Sequence, residues 1–309
     1  MPTIITITFN PCIDKSTSVS SLIPEKKLIC STPVLEPGGG GINVARAIKK
    51  LGGQAIAIYP AGGYTGAYFN ELIKREEINS IIIDTKNETR ENVIVLEESS
   101  NDQYRFGMPG NELSEQEWRA CTEAVEQIKD IDFIVVSGSM PPGVPLDIFT
   151  TLAQIAENKK AKLIVDTSGE ALNEAIKQGV YLIKPNLSEL SRLSNKATIE
   201  LNEVESTARK IMVNGKCEVI VVSLGAEGAM LVTKERSAFF TPPAVKKKST
   251  IGAGDSMVAG IVHYLSTGYT IAEAVQYGVA CGSAATMNPG TALCKKEDAD
   301  RLFREVKRI

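Results

Sequence analysis

Short apolar runs alternate along most of the chain with segments of helical period, and this alternation restricts the folds that the chain can adopt. Runs such as Phe-Ile-Val-Val at 133–136 and Leu-Ile-Val-Asp at 163–166 are continuous rather than alternately polar and apolar. Strands of this kind are buried on both faces, as they are in parallel sheets. Because helical segments connect consecutive runs, the pattern predicts an α/β fold with a largely parallel sheet.

The same periodicities predict the other elements of the core. The predicted strands are 4–9, 55–59, 80–84, 133–137, 163–166, 181–184 and 220–223, with 230–232 and 238–240 as an antiparallel finish. The predicted helices are 42–51, 65–76, 114–129, one after Pro145, one near Ala171 and those of the C-terminal quarter. We expect these elements to form one domain of residues 1–309.

Two β-prone interruptions break the alternation. Their four predicted strands are 15–19, 27–34, 92–97 and 103–106. The first two strands are polar and lack a helical period, which suits a sheet with one exposed face. We therefore expect a small β-sheet appendage, formed by about 14–35 and 88–108 and inserted into the α/β core.

The composition excludes several classes of protein. With 34 basic and 37 acidic residues, and no basic run beyond 246–248, the chain is not expected to bind nucleic acid. The single histidine, His263, rules out a Ser-His-Asp triad, a Cys-His pair and a multi-histidine metal site. The six cysteines form no Cys-x-x-Cys pair, which argues against a disulfide framework or a zinc site. No secretory signal and no apolar run of ~18 residues is present, so we expect a cytoplasmic protein that is not bound to a membrane.

The segment Gly252-Ala253-Gly254-Asp255 precedes apolar residues at helical spacing. It therefore predicts a bare backbone turn at a helix N-terminus, where unpaired N–H groups and the helix dipole bind anions. Asp255 has two interpretations at this position. It is either a base that accepts a hydroxyl proton during phosphoryl transfer or a residue that caps the helix, and these four residues alone favour neither.

A second glycine-rich segment, 38–41, opens directly into the predicted helix at 42–51. It resembles a dinucleotide-binding Gly-x-Gly-x-x-Gly motif only weakly, because Asn43 stands at the third glycine and no acidic residue lies about twenty residues further on. The chain also has no Gly-Lys-[Ser/Thr] sequence of the P-loop type. A bound nucleotide would therefore have its phosphates held in a different way.

Polar side chains follow many of the predicted core strands. The candidates at these positions are Asp14, Ser139, Asn186, Glu189, the segment 223–228 and Asp255. Each of them alone is explained as a helix cap or a turn residue. Ligands in open parallel sheets bind outside the carboxyl ends of the strands, so the joint placement of these residues at one edge favours a functional site.

Five motifs resemble, in sequence order, those of the ribokinase-like sugar kinases. They are Asn10-Pro11-x-x-Asp14, Gly38-Gly39-Gly40-x-x-Asn43, Lys184-Pro185-Asn186-x-x-Glu189, Ser223-Leu224-Gly225 and Gly252-Ala253-Gly254-Asp255. The features that look most like the B-type (minor) 6-phosphofructokinases are Glu36-Pro37, Gln103-Tyr104-Arg105-Phe106 and Asn288-x-Gly290-Thr291. The resemblance covers essentially the whole chain. It implies a ribokinase-like three-layer α/β/α core of nine or so strands, with a small β-sheet lid that also forms the contact of a homodimer.

The resemblance also implies roles for the residues at matching positions. Asp255 would be the base that deprotonates the sugar hydroxyl, and the amides of Gly252, Ala253 and Gly254 would hold the transferred phosphoryl group. The residues implied to bind the sugar phosphate are Asp14, Lys27, Gly39, Gly40, Asn43, Arg90, Arg105 and Ser139. Those implied to bind ATP are Lys184, Asn186, Ser223, Leu224, Gly225, Gly228, Val279 and Ser283. The implied metal ligands are Asn186 and Glu189 for Mg²⁺, and Ser249, Ile251, Ala285, Asn288 and Gly290 for K⁺.

The activity implied by the resemblance is ATP-dependent phosphorylation of fructose 6-phosphate at its 1-hydroxyl, which gives fructose 1,6-bisphosphate. Tagatose 6-phosphate kinase and fructose 1-phosphate kinase remain alternatives within the family. A catalytically silent sugar-phosphate-binding protein is the alternative from another class, and the retained Asp255 argues against it. Ile29 and Ala292 stand where this branch looks to carry arginine, which leaves Lys27, Arg90 and Arg105 to bind the sugar phosphate.

Overall fold

The structure, a computed structural model, describes residues 2–309. The strands in this range are β1 (Ile4–Ile7), β2 (Cys12–Val19), β3 (Val34–Gly38), β4 (Ile56–Gly62), β5 (Asn79–Thr85), β6 (Arg90–Glu97), β7 (Asp102–Phe106), β8 (Phe133–Ser137), β9 (Lys162–Asp166), β10 (Val180–Ile183), β11 (Cys217–Ser223), β12 (Ala229–Thr233), β13 (Ser237–Thr241) and β14 (Lys307–Arg308). The helices are α1 (Gly40–Lys50), α2 (Gly63–Arg75), α3 (Glu115–Gln127), α4 (Ile148–Lys159), α5 (Gly169–Gln178), α6 (Leu187–Leu193), α7 (Val204–Asn214), α8 (Ala253–Ser266), α9 (Ile271–Thr286) and α10 (Lys296–Phe303). None of these helices has the length and hydrophobicity needed to cross a membrane.

Ten strands form the main sheet, in the order β14-β13-β12-β11-β10-β9-β8-β1-β4-β5. All neighbouring pairs from β11 to β5 are parallel, whereas β12, β13 and β14 continue the sheet in antiparallel fashion. The predicted α/β fold with a largely parallel sheet is therefore confirmed. The antiparallel finish at 230–232 and 238–240 corresponds to β12 and β13.

Helices cover both faces of the main sheet. Helices α1, α2, α8, α9 and α10 contribute to one hydrophobic core, and α3 to α7 contribute to the other. Successive residues of a strand point to opposite faces, and in β8 Phe133 and Val135 enter the first core while Ile134 and Val136 enter the second. This arrangement explains why the strand sequences are continuously apolar.

The second sheet has four strands in the order β3-β2-β6-β7. Strands β2 and β6 are parallel, and β3 and β7 pair with them in antiparallel fashion. The predicted strand at 27–34 is wrong, because most of that segment is irregular and the edge strand is β3 instead. Pro33 has no N–H group to donate to a strand ladder, and β3 begins only after it.

Two helices that begin in glycine-rich segments, α1 and α8, have their N-termini where the strands of the main sheet end. Helix α8 follows Gly252, whose φ of 71° is in the left-handed region that favours glycine. Helix α1 begins at Gly40, where an added Cβ would lie 2.3 Å from Ser137 Oγ at the end of β8. The absence of a side chain at Gly40 thus lets the start of α1 approach the sheet closely.

Candidate active site

A cavity of about 470 Å³ opens at the carboxyl ends of the parallel strands. The predicted site residues that line it are Asp14, Gly39, Gly40, Asn43, Arg90, Ser139, Lys184, Asn186, Glu189, Ser223, Gly254 and Asp255. The predicted residues that do not line it are Lys27, Arg105, Leu224, Gly225, Gly228, Ser249, Ile251, Gly252, Ala253, Val279, Ser283, Ala285, Asn288 and Gly290. Residues that the sequence did not single out also line it, and these are Cys12, Asn92, Ser137, Gly138, Asp166, Thr167 and Ser168.

Asp255 lies in the first turn of α8 but does not cap the helix. The N-cap is Gly252, and no side chain caps α8 by a hydrogen bond. The Oδ2 atom of Asp255 instead accepts a hydrogen bond of 2.9 Å from Asn43 Nδ2 of α1. The two glycine-rich helix starts therefore meet at the cavity through these two side chains.

The carboxyl group of Asp255 has an unusually high pKa. The surrounding protein removes most of its hydration, which disfavours the charged form, and the negative charges of Asp166 and Asp14 add to this effect. The hydrogen bond from Asn43 and the positive charge of Lys184 act in the opposite direction, and the resulting pKa is about 7. A carboxyl group with this pKa can gain and lose a proton near neutral pH, as a general base must.

Lys184 and Asp166 form an ion pair on the wall of the cavity. The Nζ atom of Lys184 lies 3.2 Å from Asp166 Oδ1, and only 7% of the lysine side chain is exposed. Burial by itself would lower the pKa of Lys184, but the carboxylates of Asp166, Asp255 and Glu189 together outweigh burial, and the pKa is raised. The ammonium group is therefore charged and lies close to Gly254, the last glycine of the anion-binding turn. Asp166 ends the run Leu-Ile-Val-Asp of β9, and an acid at the end of a buried strand is the signal that marks it in the sequence.

Asp14 and Ser139 lie on the side of the cavity next to the second sheet. The Oδ1 atom of buried Asp14 accepts a hydrogen bond of 2.9 Å from Asn92 Nδ2 of β6, and Cys12 Sγ also donates to it. Ser139 Oγ accepts a hydrogen bond of 3.0 Å from Asn10 Nδ2. Asn92 has no motif that reveals it in the sequence, because it reaches Asp14 only through the parallel pairing of β2 with β6.

The three basic residues predicted to bind the sugar phosphate have different environments. The guanidinium of Arg90 donates to the carbonyl oxygens of Asn10 and Met108 and to Asn92 Oδ1. Most of its N–H groups are therefore hydrogen-bonded to other residues of the protein. Arg105 lies on β7, and its Nη2 donates to Thr250 Oγ1 at 3.1 Å. Desolvation lowers the pKa of Arg105 while the carboxylates of Asp14 and Asp255 raise it, which places its charge near the cavity. Lys27 is exposed in the irregular segment between β2 and β3.

Asn186 and Glu189 form a reciprocal capping box at the start of α6. Asn186 Oδ1 accepts a hydrogen bond of 2.8 Å from the Glu189 amide, and Glu189 Oε2 accepts one of 2.8 Å from the Asn186 amide. Ser223, at the end of β11, lies beside Asn186 through an isolated β-bridge. The side-chain oxygens of Asn186 and Glu189 keep free lone pairs that can face a ligand in the cavity.

The two segments predicted to bind potassium are joined to each other. The amides of Lys248 and Ser249 both donate to the Thr286 carbonyl, and Ser249 Oγ donates to the Gly290 carbonyl at 2.8 Å. The second sheet contacts the same segments through Gln103 of β7, whose Oε1 lies 3.3 Å from Ser249 Oγ.

Comparison with known proteins identifies the family. Residues 4–298 match the model of the pfkB family carbohydrate kinases. The chain is 45% identical over 309 residues to the ATP-dependent 6-phosphofructokinase isozyme 2 of Escherichia coli (strain K12), with 100% of both chains covered.

Solved structures agree with this match. The structure of phosphofructokinase-2 from Escherichia coli in complex with potassium has a TM-score of 0.94 and 45% identity, and 99% of each chain is covered. The structure of the same protein in complex with fructose-6-phosphate has a TM-score of 0.93 and 43% identity, again over 99% of each chain. A third structure, of its tetrameric inhibited form, has a TM-score of 0.93 at 44% identity over 99% of each chain. The predicted ribokinase-like α/β fold is confirmed, and the chain belongs to the pfkB family of carbohydrate kinases.

Proposed function

We propose that this protein catalyses the ATP-dependent phosphorylation of fructose 6-phosphate at its 1-hydroxyl to give fructose 1,6-bisphosphate. The observation that carries the proposal is Asp255, a carboxylate with a pKa of about 7 at a glycine-rich helix N-terminus in a polar cavity. The names of the Escherichia coli relative and its complex with fructose-6-phosphate support the choice of substrate.

In the proposed reaction Asp255 accepts the proton of the sugar hydroxyl as that oxygen attacks the terminal phosphorus of ATP. Asp14 and Ser139 orient the sugar hydroxyls on one side, and the first-turn amides of α8 bind the oxygens of the phosphoryl group. Lys184 supplies a fixed positive charge beside Gly254, which offsets the negative charge that the phosphates bring into the cavity. The bond between the terminal phosphorus and the oxygen that bridges it to the next phosphate breaks, and ADP is the leaving group.

The oxygen atoms of Asn186 and Glu189 fit the proposed magnesium site. Among residues 2–309 no three His, Cys, Asp or Glu side chains group closely enough to form a metal site by themselves. Mg²⁺ is usually held by one or two carboxylates together with waters and substrate phosphates, so the pair at the start of α6 suits this mode. When bound, Mg²⁺ would neutralise charge on the phosphates of ATP. The free lone pairs of Glu189 and Asn186 would accept hydrogen bonds from the waters around the ion.

The proposed reaction is tested by turnover of four substrates with ATP in an assay of ADP release. Fructose 6-phosphate should give the highest kcat/KM, ahead of tagatose 6-phosphate, fructose 1-phosphate and unphosphorylated fructose. A preference for either of the other two sugar phosphates would identify one of the rival kinases. Binding of sugar phosphate without release of ADP from any of the four would identify a silent binding protein instead.

We also propose that potassium binds to oxygen atoms of the segments 249–251 and 285–290 and supports the anion-binding turn between them. The predicted ligands Ser249, Ile251, Ala285 and Asn288 are buried there, which suits carbonyl coordination of a cation. We expect K⁺ to raise kcat/KM relative to tetramethylammonium at equal ionic strength. Equal rates in the two chloride salts would argue against the site, and a titration with K⁺ in the tetramethylammonium background measures the apparent affinity.

The second sheet is proposed to act as a lid and to join two chains as a homodimer. Its strands expose apolar side chains, with Val34 58%, Tyr104 40% and Phe106 49% exposed. Exposed edge strands and large apolar side chains are usually covered by a partner. Sedimentation equilibrium should show a dimer that a Phe106→Glu substitution dissociates. A fully active monomer at all working concentrations would contradict this contact.

A further inference from the structure

Arg46 is a fully buried arginine that no motif in the sequence singles out. It lies on α1, three residues after Asn43, and is only 2% exposed. A buried guanidinium is costly unless every one of its N–H donors finds an acceptor. Arg46 is therefore held in place by specific partners rather than by general packing.

The five N–H donors of Arg46 match the five hydrogen bonds that it makes. Nε and Nη2 donate to the two carboxylate oxygens of Glu76, at 2.8 and 2.6 Å, and Nη2 also donates to Glu36 Oε1 at 3.1 Å. Nη1 donates to the carbonyl of Pro37 at 2.9 Å and to Asn43 Oδ1 at 3.2 Å. Two carboxylates fix the plane of the guanidinium, and of the two remaining N–H groups, both on Nη1, one binds the Pro37 carbonyl and the other faces Asn43.

The contact with Asn43 decides which end of its amide faces Asp255. An amide presents an oxygen acceptor on one side and an NH₂ donor on the other, and a guanidinium can only donate. The Asn43 atom that faces Arg46 must therefore be Oδ1, which turns Nδ2 toward Asp255 at 2.9 Å. In the flipped orientation, the NH₂ group of Asn43 would face the N–H donors of Arg46. Removal of Arg46 takes away this conflict between donors, and with it the restraint on the amide.

We propose that Arg46 is a positioning residue that holds the Asn43 amide in the orientation in which it donates a hydrogen bond to Asp255. The inference rests on the proposed function only in taking Asp255 as the base. The orientation itself is a property of the folded chain and can be measured without turnover.

Loss of this orientation would change the titration of Asp255. The charged and titratable groups that face Asp255 are Asp166 at the end of β9, Lys184 after β10, Asp14 and the thiol of Cys12 on β2, and Arg105 on β7. The Asn43 hydrogen bond favours the carboxylate and so lowers the pKa of Asp255. Without it the pKa must rise further, and a smaller fraction of the base is ionised at neutral pH.

Two variants of Arg46 separate positioning from folding. Arg46→Met with Glu76→Gln removes the guanidinium together with the carboxylate that it binds through two hydrogen bonds, which avoids leaving an unpaired carboxylate at the end of α2. Glu36, the other carboxylate, keeps its hydrogen bond from Thr291. Arg46→Lys keeps the positive charge near Glu36 and Glu76 but lacks the planar fork, so the ammonium is drawn to the carboxylates rather than to Asn43.

Two matched controls leave the Asn43 contact intact. Glu76→Gln alone weakens the ion pair while Arg46 keeps Glu36, Pro37 and Asn43. Lys49→Met removes another cation of α1 that contacts the same end of α2, through Glu77 and the Glu76 carbonyl, and that does not contact Asn43. Both controls are expected to keep the wild-type titration of Asp255.

The readouts are the pH dependence of kcat/KM and the titration of the Asp255 carboxyl carbon by ¹³C NMR of aspartate-labelled protein, where Asp255→Asn identifies the resonance. The double variant should raise the Asp255 pKa by about one unit, which corresponds to an about tenfold loss of kcat/KM below both pKa values and little loss above them. Arg46→Lys should fall between the double variant and the wild type.

A folded Arg46 variant with an unchanged carboxyl titration would overturn the positioning role, whatever its activity. A shifted titration in a protein that turns over none of the sugars would support the positioning role and refute the proposed function. Equal losses of activity at every pH, in the variants and in Glu76→Gln alike, would show that Arg46 is only a structural ion pair.

Discussion

Asp255→Asn is expected to lower kcat by ~10²- to 10⁴-fold with little change in the KM for fructose 6-phosphate. Asparagine has nearly the same shape as aspartate, and its side-chain oxygen can still accept the hydrogen bond from Asn43. It cannot accept the proton of the attacking hydroxyl, so the loss falls on the chemical step. Steady-state rates of ADP release over a range of sugar concentrations measure kcat and KM separately. Turnover within a few-fold of the wild type would mean that Asp255 is not the base.

The pH dependence of the wild type provides the control for this variant. Because the base must be ionised and the pKa of Asp255 is about 7, wild-type kcat/KM should rise with pH through about 7 and then level off. The residual activity of Asp255→Asn should lack this rise. A wild-type profile without a step near this pH would argue against Asp255 as the titrating group.

Thermal unfolding shows whether Asp255→Asn is folded and tests the same pKa. The folded-state pKa of Asp255 lies above the ordinary value of 3.8, so the wild type loses stability as the pH rises from about 4 to about 7. The variant has no such group, and its Tm should exceed that of the wild type by a margin that grows over this range. A lower Tm for the variant at neutral pH would contradict the raised pKa.

Arg105→Ala is expected to lower kcat/KM for fructose 6-phosphate by roughly 10- to 150-fold and to leave unphosphorylated fructose almost unchanged. A charge-assisted hydrogen bond to a phosphate in a closed site is worth about 1.5–3 kcal/mol, and this range gives the expected loss. One N–H group of Arg105 donates to Thr250, so other N–H groups of its guanidinium remain to bind a substrate phosphate. The kcat/KM values of the two substrates should therefore converge in the variant.

Arg90→Ala is expected to produce the same convergence together with a lower Tm, because Arg90 also holds the carbonyls of Asn10 and Met108. Arg119→Ala is the matched control, since Arg119 is a surface arginine paired with Glu115 on α3, and such pairs contribute only ~0 to 1 kcal/mol. Equal loss for both substrates in Arg105→Ala and Arg90→Ala, or no loss in either, would place the phosphate-binding charge elsewhere.

Local patterns in the sequence predicted the parallel core and much of the cavity. Continuous apolar runs indicated strands such as β8 and β9, because a strand between two helix layers must be apolar on both faces. The glycine-rich segments before α1 and α8 indicated two helix starts that a ligand or the sheet can approach closely. The order of the motifs then placed Asp14, Ser139, Asn186 and Asp255 at one edge of the sheet, since parallel strands all end on the same side.

Contacts between distant parts of the chain decided what those patterns left open. Whether Asp255 capped its helix was settled by Gly252 occupying the N-cap and by Asn43, which is 212 residues away in sequence, donating to its carboxylate. The raised pKa of Asp255 likewise depends on burial by the surrounding elements and on Asp166, which the pairing order of the sheet brings near it. Arg46 reads in the sequence as one charged residue of an amphipathic helix, and its partners Glu36 and Glu76 come from a strand of the second sheet and from the end of α2. Periodicity reports the environment of a side chain averaged over one element, whereas the hydrogen bonds and charges that set its chemistry come from other elements, so only the tertiary structure determines them.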